Sequence, residues 1–142
     1  MNKCTIKFKS KMENESFARI CACSFLAPLN PTIDELMEIK TIVSEAVTNA
    51  IIHGYDSNPN KMVKLEIAYD INRCITLIIT DKGNGIENVE KAMEPLYTTK
   101  LAEERSGMGM TIMQTFSDSF DVITSLKEGT SIVIQKQLQN TQ

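Results

Sequence analysis

Three residues of one helical segment carry side chains that could take part in proton or cation chemistry. Glu45, Asn49 and His53 are spaced four residues apart, so in an α-helix they lie along one side. A carboxylate can act as a general base, and an amide oxygen is a ligand for hard cations. Ile42 and Ile52 flank this row and suggest a lined pocket. Taken alone, the segment is equally typical of an amphipathic helix with a solvated polar face.

A second candidate site follows a strongly apolar strand predicted at residues 74–80. Asp81 comes directly after this strand, and Gly83 and Gly85 follow it. A carboxylate at the end of a buried strand needs a hydrogen-bond donor, and glycine lets a backbone approach a ligand closely. A hairpin turn is the alternative, because Asn and Gly are common turn residues. Residues 89–93 are predicted to be helical rather than a returning strand, which favours the site over the turn.

A third segment places glycines before a helix. Gly107 and Gly109 open a stretch predicted to be helical to about Phe116. Free N–H groups and the helix dipole favour anions at such a position. The segment is neither a Walker loop nor a Rossmann fingerprint, because Gly-Lys-Ser/Thr and a third glycine are absent. Residues 98–106, just before it, are polar with both charge signs and are predicted to form a mobile loop.

Length and composition bound the class of protein. The 142 residues predict a single domain, residues 1–142, with a real core. The net charge of −3 and the pI of about 5.2 argue against a nucleic-acid-binding face. Without a membrane-spanning run or a signal peptide, a cytoplasmic location is expected. The spacing of the four cysteines fits no common zinc framework, so reduced thiols are expected.

The elements that must position these segments follow from the hydrophobic periodicity. A helix is predicted from about residue 32 to His53, with Gly54 as its terminator and a core stripe at Leu36, Ile39, Val43, Val47 and Ala50. Another helix is predicted up to Ala27, after a start signal at residues 13–16. Besides 74–80, strands are predicted at residues 4–9, 62–69, 120–126 and 131–137.

The three polar segments occur in a recognisable order: Glu45…Asn49, Asp81-x-Gly83-x-Gly85, then Gly107-x-Gly109. In this order they resemble the ATP-binding fold of the GHKL superfamily, shared by gyrase, Hsp90, histidine kinases and MutL, over nearly the whole chain. Residues 44–55, 95–100 and 104–109 look more specifically like the sporulation anti-sigma-F factors, a family of serine protein kinases. The resemblance implies an α/β protein of the α+β two-layer type, in which helices cover one face of a mixed sheet.

The resemblance also implies roles for individual residues. Glu45 would be the general base for a substrate serine, and Asn49 would hold the Mg²⁺ that bridges the phosphates of ATP. Asp81 would accept a hydrogen bond from the adenine amino group. Arg19 would contact protein partners. The other nucleotide-binding positions implied are Gly83, Gly85, Thr99, Lys100, Arg105, Ser106, Gly107, Gly109 and Thr130, with Arg105 reaching the γ-phosphate.

The function implied is sequestration of sporulation sigma factor F together with Mg-ATP-dependent phosphorylation of an anti-anti-sigma protein, which leaves ADP. The protein would be a homodimer without direct contact to nucleic acid or membrane. One alternative is an ATP-binding, sigma-sequestering module without kinase activity, against which the retained Glu45, Asn49, Asp81 and Arg105 argue. Another is a histidine-kinase-type catalytic domain, but the chain lacks a phospho-acceptor helical hairpin. Lys82 adds a positive charge where acidic residues are familiar in relatives, which could change nucleotide affinity.

Overall fold

The computed structural model describes residues 1–89, 93 and 109–139, in which helices cover one face of a five-stranded sheet. The strands are β1 (Asn2–Lys9), β2 (Met62–Tyr69), β3 (Cys74–Asp81), β4 (Ser119–Ser125) and β5 (Gly129–Gln137). The helices are α1 (Glu13–Leu26), α2 (Ile33–Asn49) and α3 (Gly109–Thr115). A 3₁₀ turn at Ala27–Leu29 follows α1, and a π turn at Ala50–Gly54 follows α2.

The strands are ordered β1-β2-β3-β5-β4, and each neighbouring pair is antiparallel. The α+β class and the two-layer arrangement are confirmed. The expectation of a mixed sheet is wrong for the described strands. The β2–β3 and β4–β5 pairs are hairpins that local signals predict, whereas the pairing of β1 with β2 and of β3 with β5 joins distant parts of the chain.

Strand alternation decides which side chains face the helices. Along β3, the residues Ile75, Leu77, Ile79 and Asp81 are buried, and the residues between them are only half-buried. Successive side chains of a strand point to opposite faces, so Asp81 lies on the same face as the apolar core. The sheet therefore carries a carboxylate at the edge of its hydrophobic layer.

The helix α2 is fixed at its start by a capping box. The side-chain oxygen of Thr32 accepts a hydrogen bond from the N–H of Glu35 at 3.1 Å, and the carboxylate of Glu35 accepts one from the N–H of Thr32 at 2.9 Å. Glu35 also accepts from the N–H of Gln139 at 2.7 Å. The same carboxylate therefore ties the start of α2 to the chain that follows β5.

The apolar stripe predicted on this helix is confirmed, since Ile39, Val43, Val47 and Ala50 are buried and Leu36 is half-buried.

An ion pair joins α2 to strand β5 of the sheet. The ammonium of Lys136 on β5 donates to Glu38 of α2 at 2.8 Å and to the carbonyl of Phe116, just after α3, at 3.0 Å. These contacts fix α3 against α2.

All four cysteines are free thiols. Burial raises the pKa of Cys4, Cys23 and Cys74, which disfavours the reactive thiolate form. Within the described ranges no helix combines the length and apolar character needed to cross a membrane. The same residues hold no cluster of three His, Cys, Asp or Glu side chains that could ligate a metal ion.

Replacing Thr32 by Ala should destabilise the fold by about 1 kcal/mol, because the first turn of α2 loses a side-chain acceptor. Urea unfolding measures the change. Thr41→Ala is the matched control, since its hydroxyl donates only to the Met37 carbonyl within α2, at 2.8 Å. The control should unfold at the same or slightly higher urea concentration than the unchanged protein. Equal losses in both variants would contradict the role given to the cap.

Candidate functional site

Asp81 is a buried carboxylate with 7% of its surface exposed. Burial raises its pKa from the ordinary 3.8 to about 6, and hydrogen bonds from the backbone N–H groups of Gly83 and Thr130 lower it only in part. The Gly83 N–H lies 2.9 Å from Oδ1 of Asp81. A carboxylate held in this way is suited to accept a further hydrogen bond from a polar group of a ligand.

Two glycines leave the space that Asp81 occupies. A Cβ added to Gly54 would lie 2.7 Å from Oδ1 of Asp81. One added to Gly129 would lie 2.1 Å from the Asp81 carbonyl oxygen, and Gly129 also has a φ of 118°. A side chain at either position would displace Asp81, so backbone from the π turn and from β5 forms two sides of its surroundings.

The glycines of the Asp81-x-Gly83-x-Gly85 segment pack closely against the protein itself. A Cβ added to Gly83 would lie 1.9 Å from the Gly54 carbonyl oxygen, and one added to Gly85 would lie 2.4 Å from that of Ser125. Gly85 has a φ of 76°, which favours glycine further. These contacts give the two glycines a packing reason, and their contact with a nucleotide stays a prediction.

Glu45 and Asn49 lie on α2, facing the first residue of α3. A Cβ added to Gly109 would lie 2.7 Å from Oε2 of Glu45 and 3.4 Å from Nδ2 of Asn49. Both polar side chains are half-buried. The structure therefore brings the first and third predicted segments together. The flanking residues Ile42 and Ile52 are both buried, and Ile42 belongs to the hydrophobic core.

The helix that carries Glu45 and Asn49 widens into the π turn directly after Asn49. The N–H of Tyr55 donates to the carbonyl of Ala50, five residues earlier, at 3.0 Å. One extra residue in a turn rotates the residues after it by about 100°. The side chain of Tyr55 therefore leaves the helix axis in the direction that the side chain of residue 54 would have in an uninterrupted α-helix. His53 lies within this turn and is half-buried.

Thr130 lies beside Asp81, and its contact with adenine stays a prediction. The two are directly paired in the register of β3 and β5, and both are buried. The Thr130 hydroxyl lies 2.9 Å from that of Thr124 on β4. The N–H of Ile86 in turn donates to the Thr124 hydroxyl at 2.8 Å. These bonds tie the segment after Asp81 to the β4–β5 hairpin.

Arg19 lies on α1, with 38% of its side chain exposed. Its Nε donates to Glu15 at 3.1 Å, and the same carboxylate accepts a hydrogen bond from the Ser44 hydroxyl. Glu15 itself is 6% exposed. Since Ser44 directly precedes Glu45, Arg19 is linked through one buried carboxylate to the part of α2 that carries the candidate base.

Several predicted site residues lie outside the described residues: Thr99, Lys100, Arg105, Ser106 and Gly107. The same is true of the polar segment 98–106 and of most of the predicted helix at 89–93. The structure adds Gly54, Tyr55, Asn84 and Gly129 to the surroundings of Asp81. In the sequence Gly54 predicted only a helix end, and contacts between distant backbone segments left no local signal.

Comparison with known proteins identifies the family. Residues 9–136 match the family described as "Histidine kinase-like ATPase domain". The chain is 51% identical over 135 residues to an anti-sigma F factor of Clostridium beijerinckii, covering 95% of this chain and 94% of that relative. It is 49% identical over 140 residues to an anti-sigma F factor of Priestia megaterium, covering 99% and 95%. The chain belongs to the anti-sigma F factors of the histidine kinase-like ATPase family.

A solved structure shares the fold of this anti-sigma F family member. The RsbU and RsbW domains of Rv1364c from Mycobacterium tuberculosis align with a TM-score of 0.72 and 13% identity, covering 99% of this chain and 34% of that one. The resemblance drawn from the three motifs is thus confirmed. The family and the fold together support a nucleotide-binding domain of the kinase type.

Asp81→Asn should stabilise the ligand-free anti-sigma F protein by about 1–3 kcal/mol at pH 7.5. The folded-state pKa of about 6 exceeds the ordinary 3.8, so the carboxyl favours folding at low pH, and that contribution is lost as the pH rises through about 6. Urea unfolding of both proteins at pH 4, 5, 6 and 7.5 should show the difference growing with pH.

The exposed Asp121 on β4 provides the control for this comparison. Asp121→Asn should change the unfolding free energy by no more than about 0.5 kcal/mol at any of these pH values. If Asp81→Asn is less stable than the unchanged protein across the whole range, burial of the charge is not a cost to folding.

Proposed function

We propose that this protein sequesters sporulation sigma factor F and uses Mg-ATP to phosphorylate a serine of an anti-anti-sigma protein. The observation that carries the proposal is that the Gly109 backbone leaves no room for a side chain beside Glu45 and Asn49, which puts a candidate base and a candidate cation ligand at one backbone position. The names of the anti-sigma F relatives, about half identical over nearly the whole chain, support the sigma-factor partner.

The described residues fit a nucleotide whose two ends lie apart. Asp81, with Thr130 paired to it and Gly85 four residues later in the chain, offers a buried acceptor for the adenine amino group. Asn49 and Glu45 offer oxygen atoms beside the backbone of Gly109. Mg²⁺ is usually held by one or two protein oxygens plus substrate phosphates, so Asn49 would hold it with the phosphates of ATP.

The chemistry needs few protein groups. Mg²⁺, when bound, would neutralise charge on the phosphates. Glu45 would accept the proton of the substrate serine, whose hydroxyl is a weak nucleophile at neutral pH. Gly109 lets the α3 backbone lie close to this carboxylate, because a Cβ would come within 2.7 Å of Oε2. The half-buried position of Glu45 leaves it accessible to a substrate side chain.

The remaining roles follow the family resemblance. Thr99, Lys100, Ser106 and Gly107 would contact the phosphates, with Gly83 near the nucleotide, and Arg105 would reach the γ-phosphate. Arg19 would contact the protein partners of a cytoplasmic homodimer. An ATP-binding, sigma-sequestering module without kinase activity is the competing function, and the placement of Glu45 beside Gly109 and Asn49 argues against it.

The direct test is incubation of the protein with labelled ATP, Mg²⁺ and the candidate anti-anti-sigma protein. Label on a serine of that protein supports the proposal. Stable label on a histidine would indicate a histidine-kinase-type reaction instead. Sigma-factor binding without any transfer, in a protein that binds ATP, would support the sequestering module.

Glu45→Gln should lower serine phosphorylation by about 10²–10⁴-fold, since the side chain keeps its size but loses the basic carboxylate. Nucleotide binding and sigma-factor binding should persist, because Asn49, Asp81 and Arg19 are unchanged. Phosphorylation assays and sigma-factor pull-down with Mg-ATP measure both activities on the same preparation.

The matched control is Glu66→Gln on β2, whose carboxylate pairs with Lys3 at 3.3 Å on the sheet face away from the helices. This variant should keep both activities. Phosphorylation at the unchanged rate in Glu45→Gln would exclude Glu45 as the base. Loss of sigma-factor binding in a folded, ATP-binding Glu45→Gln protein would show that the two activities are not separable in this way.

A further inference from the structure

The hydroxyl of Tyr55 accepts a hydrogen bond from the backbone N–H of the residue that follows Asp81, the proposed adenine contact. We propose that Tyr55, together with Asn84, is a positioning residue that orients the Asp81 carboxylate toward the adenine amino group. This inference rests on the proposed ATP site and deepens it, because it concerns how the site distinguishes adenine from other bases.

Tyr55 is 8% exposed, and its hydroxyl uses both of its hydrogen-bonding functions. The hydroxyl oxygen accepts from the N–H of Lys82 at 2.7 Å, and the hydroxyl donates to the carbonyl of Met62 at 2.6 Å. Burial raises the pKa of Tyr55, and the nearby Asp81 carboxylate adds to the rise, so the hydroxyl keeps the proton that it donates. One side chain thus joins the first residue of β2 to the residue after β3.

The Lys82 bond acts on Asp81 through a single peptide group. The N–H of Lys82 belongs to the peptide that follows Asp81, and the next N–H, that of Gly83, donates to Oδ1 of Asp81 at 2.9 Å. Rotation of the peptide held by Tyr55 would move the Gly83 N–H away from the carboxylate. The tyrosine hydroxyl therefore fixes a backbone geometry on which the direction of the Asp81 side chain depends.

Asn84 holds the same loop against the π turn. Its backbone N–H donates to the Gly54 carbonyl at 2.8 Å, and its side-chain Nδ2 donates to the His53 carbonyl at 3.3 Å and to Asp56 at 2.9 Å. The π turn begins directly after Asn49, the proposed Mg²⁺ ligand. Tyr55 and Asn84 therefore connect the phosphate end of the proposed site to its adenine end.

A purely structural role for Tyr55 makes a different prediction. Its ring belongs to the hydrophobic core, so the residue could contribute to stability alone. Phenylalanine keeps the ring and removes only the hydroxyl. If the hydroxyl matters for stability alone, Tyr55→Phe lowers the unfolding temperature and leaves the selectivity for the base unchanged.

The experiment compares ADP with inosine diphosphate, which carries a carbonyl in place of the adenine amino group. Calorimetry gives both affinities for the unchanged protein, Tyr55→Phe and the control Tyr69→Phe. Tyr69 packs its ring against Phe25, and its hydroxyl accepts from Asn2, at the far end of β2. The unchanged protein should prefer ADP. Tyr55→Phe should lose about three- to tenfold in ADP affinity, with little change for inosine diphosphate, and Tyr69→Phe should behave like the unchanged protein.

Any other result overturns the inference, and the affinities show whether the proposed ATP site fails with it. If the unchanged protein does not prefer ADP, Asp81 does not read the amino group, and the adenine part of the proposed function fails as well. If the preference exists and Tyr55→Phe retains it, or loses affinity equally for both nucleotides, the ATP site stands and the positioning role is wrong. Should Tyr55→Phe not fold, Asn84→Ala, at an exposed position, decides by the same comparison, with a smaller selective loss of ADP affinity expected.

Discussion

A buried carboxylate at the end of the core strand β3 constrains the backbone that surrounds it. Asp81 continues the inward-facing side of β3, where every other such residue is aliphatic. A charged group there is unfavourable unless donors surround it and neighbouring atoms leave room. Gly54 leaves room for the carboxylate, and the Gly83 N–H supplies a donor. Gly54 thus makes room for the carboxylate itself, whereas Gly129 makes room for the backbone of the same residue.

The two carboxylates of the proposed site differ in their surroundings and therefore in what they can do. Asp81 is buried, with a raised pKa, and its position beside backbone donors suits a fixed hydrogen-bond acceptor. Glu45 is half-buried on a helix face beside Gly109, where a second protein's side chain could approach it. Proteins often retain an unfavourable group at a functional site at some cost in stability. The burial of Asp81 is a feature of that kind, because an aliphatic residue would continue the strand better.

The sequence predicted those parts of the fold that depend on local patterns. The alternation at residues 62–69 and the apolar run at 74–80 each became a strand, with Asp81 as the last residue of β3. The mixed sheet that the resemblance implied is wrong for the described strands, and the direction of its distant pairs is decided by residues far apart in the chain. The π turn has no recognised local signature, and the bond from Lys82 to Tyr55 spans 27 positions. The order of the motifs predicted the family, while the contacts around Asp81 required the fold.

The helix α2 and its π turn are joined both to Arg19, the proposed partner contact, and to the loop after Asp81, the proposed adenine contact. At Ser44, α2 is joined to α1 through Glu15, which also holds Arg19, and the next residue is Glu45. Beyond Asn49 the same chain continues as the π turn to Tyr55, which holds the loop after β3. The proposed partner contact at Arg19 and the proposed adenine contact at Asp81 are therefore both joined to the segment from Ser44 to Tyr55, the last part of α2 and its π turn.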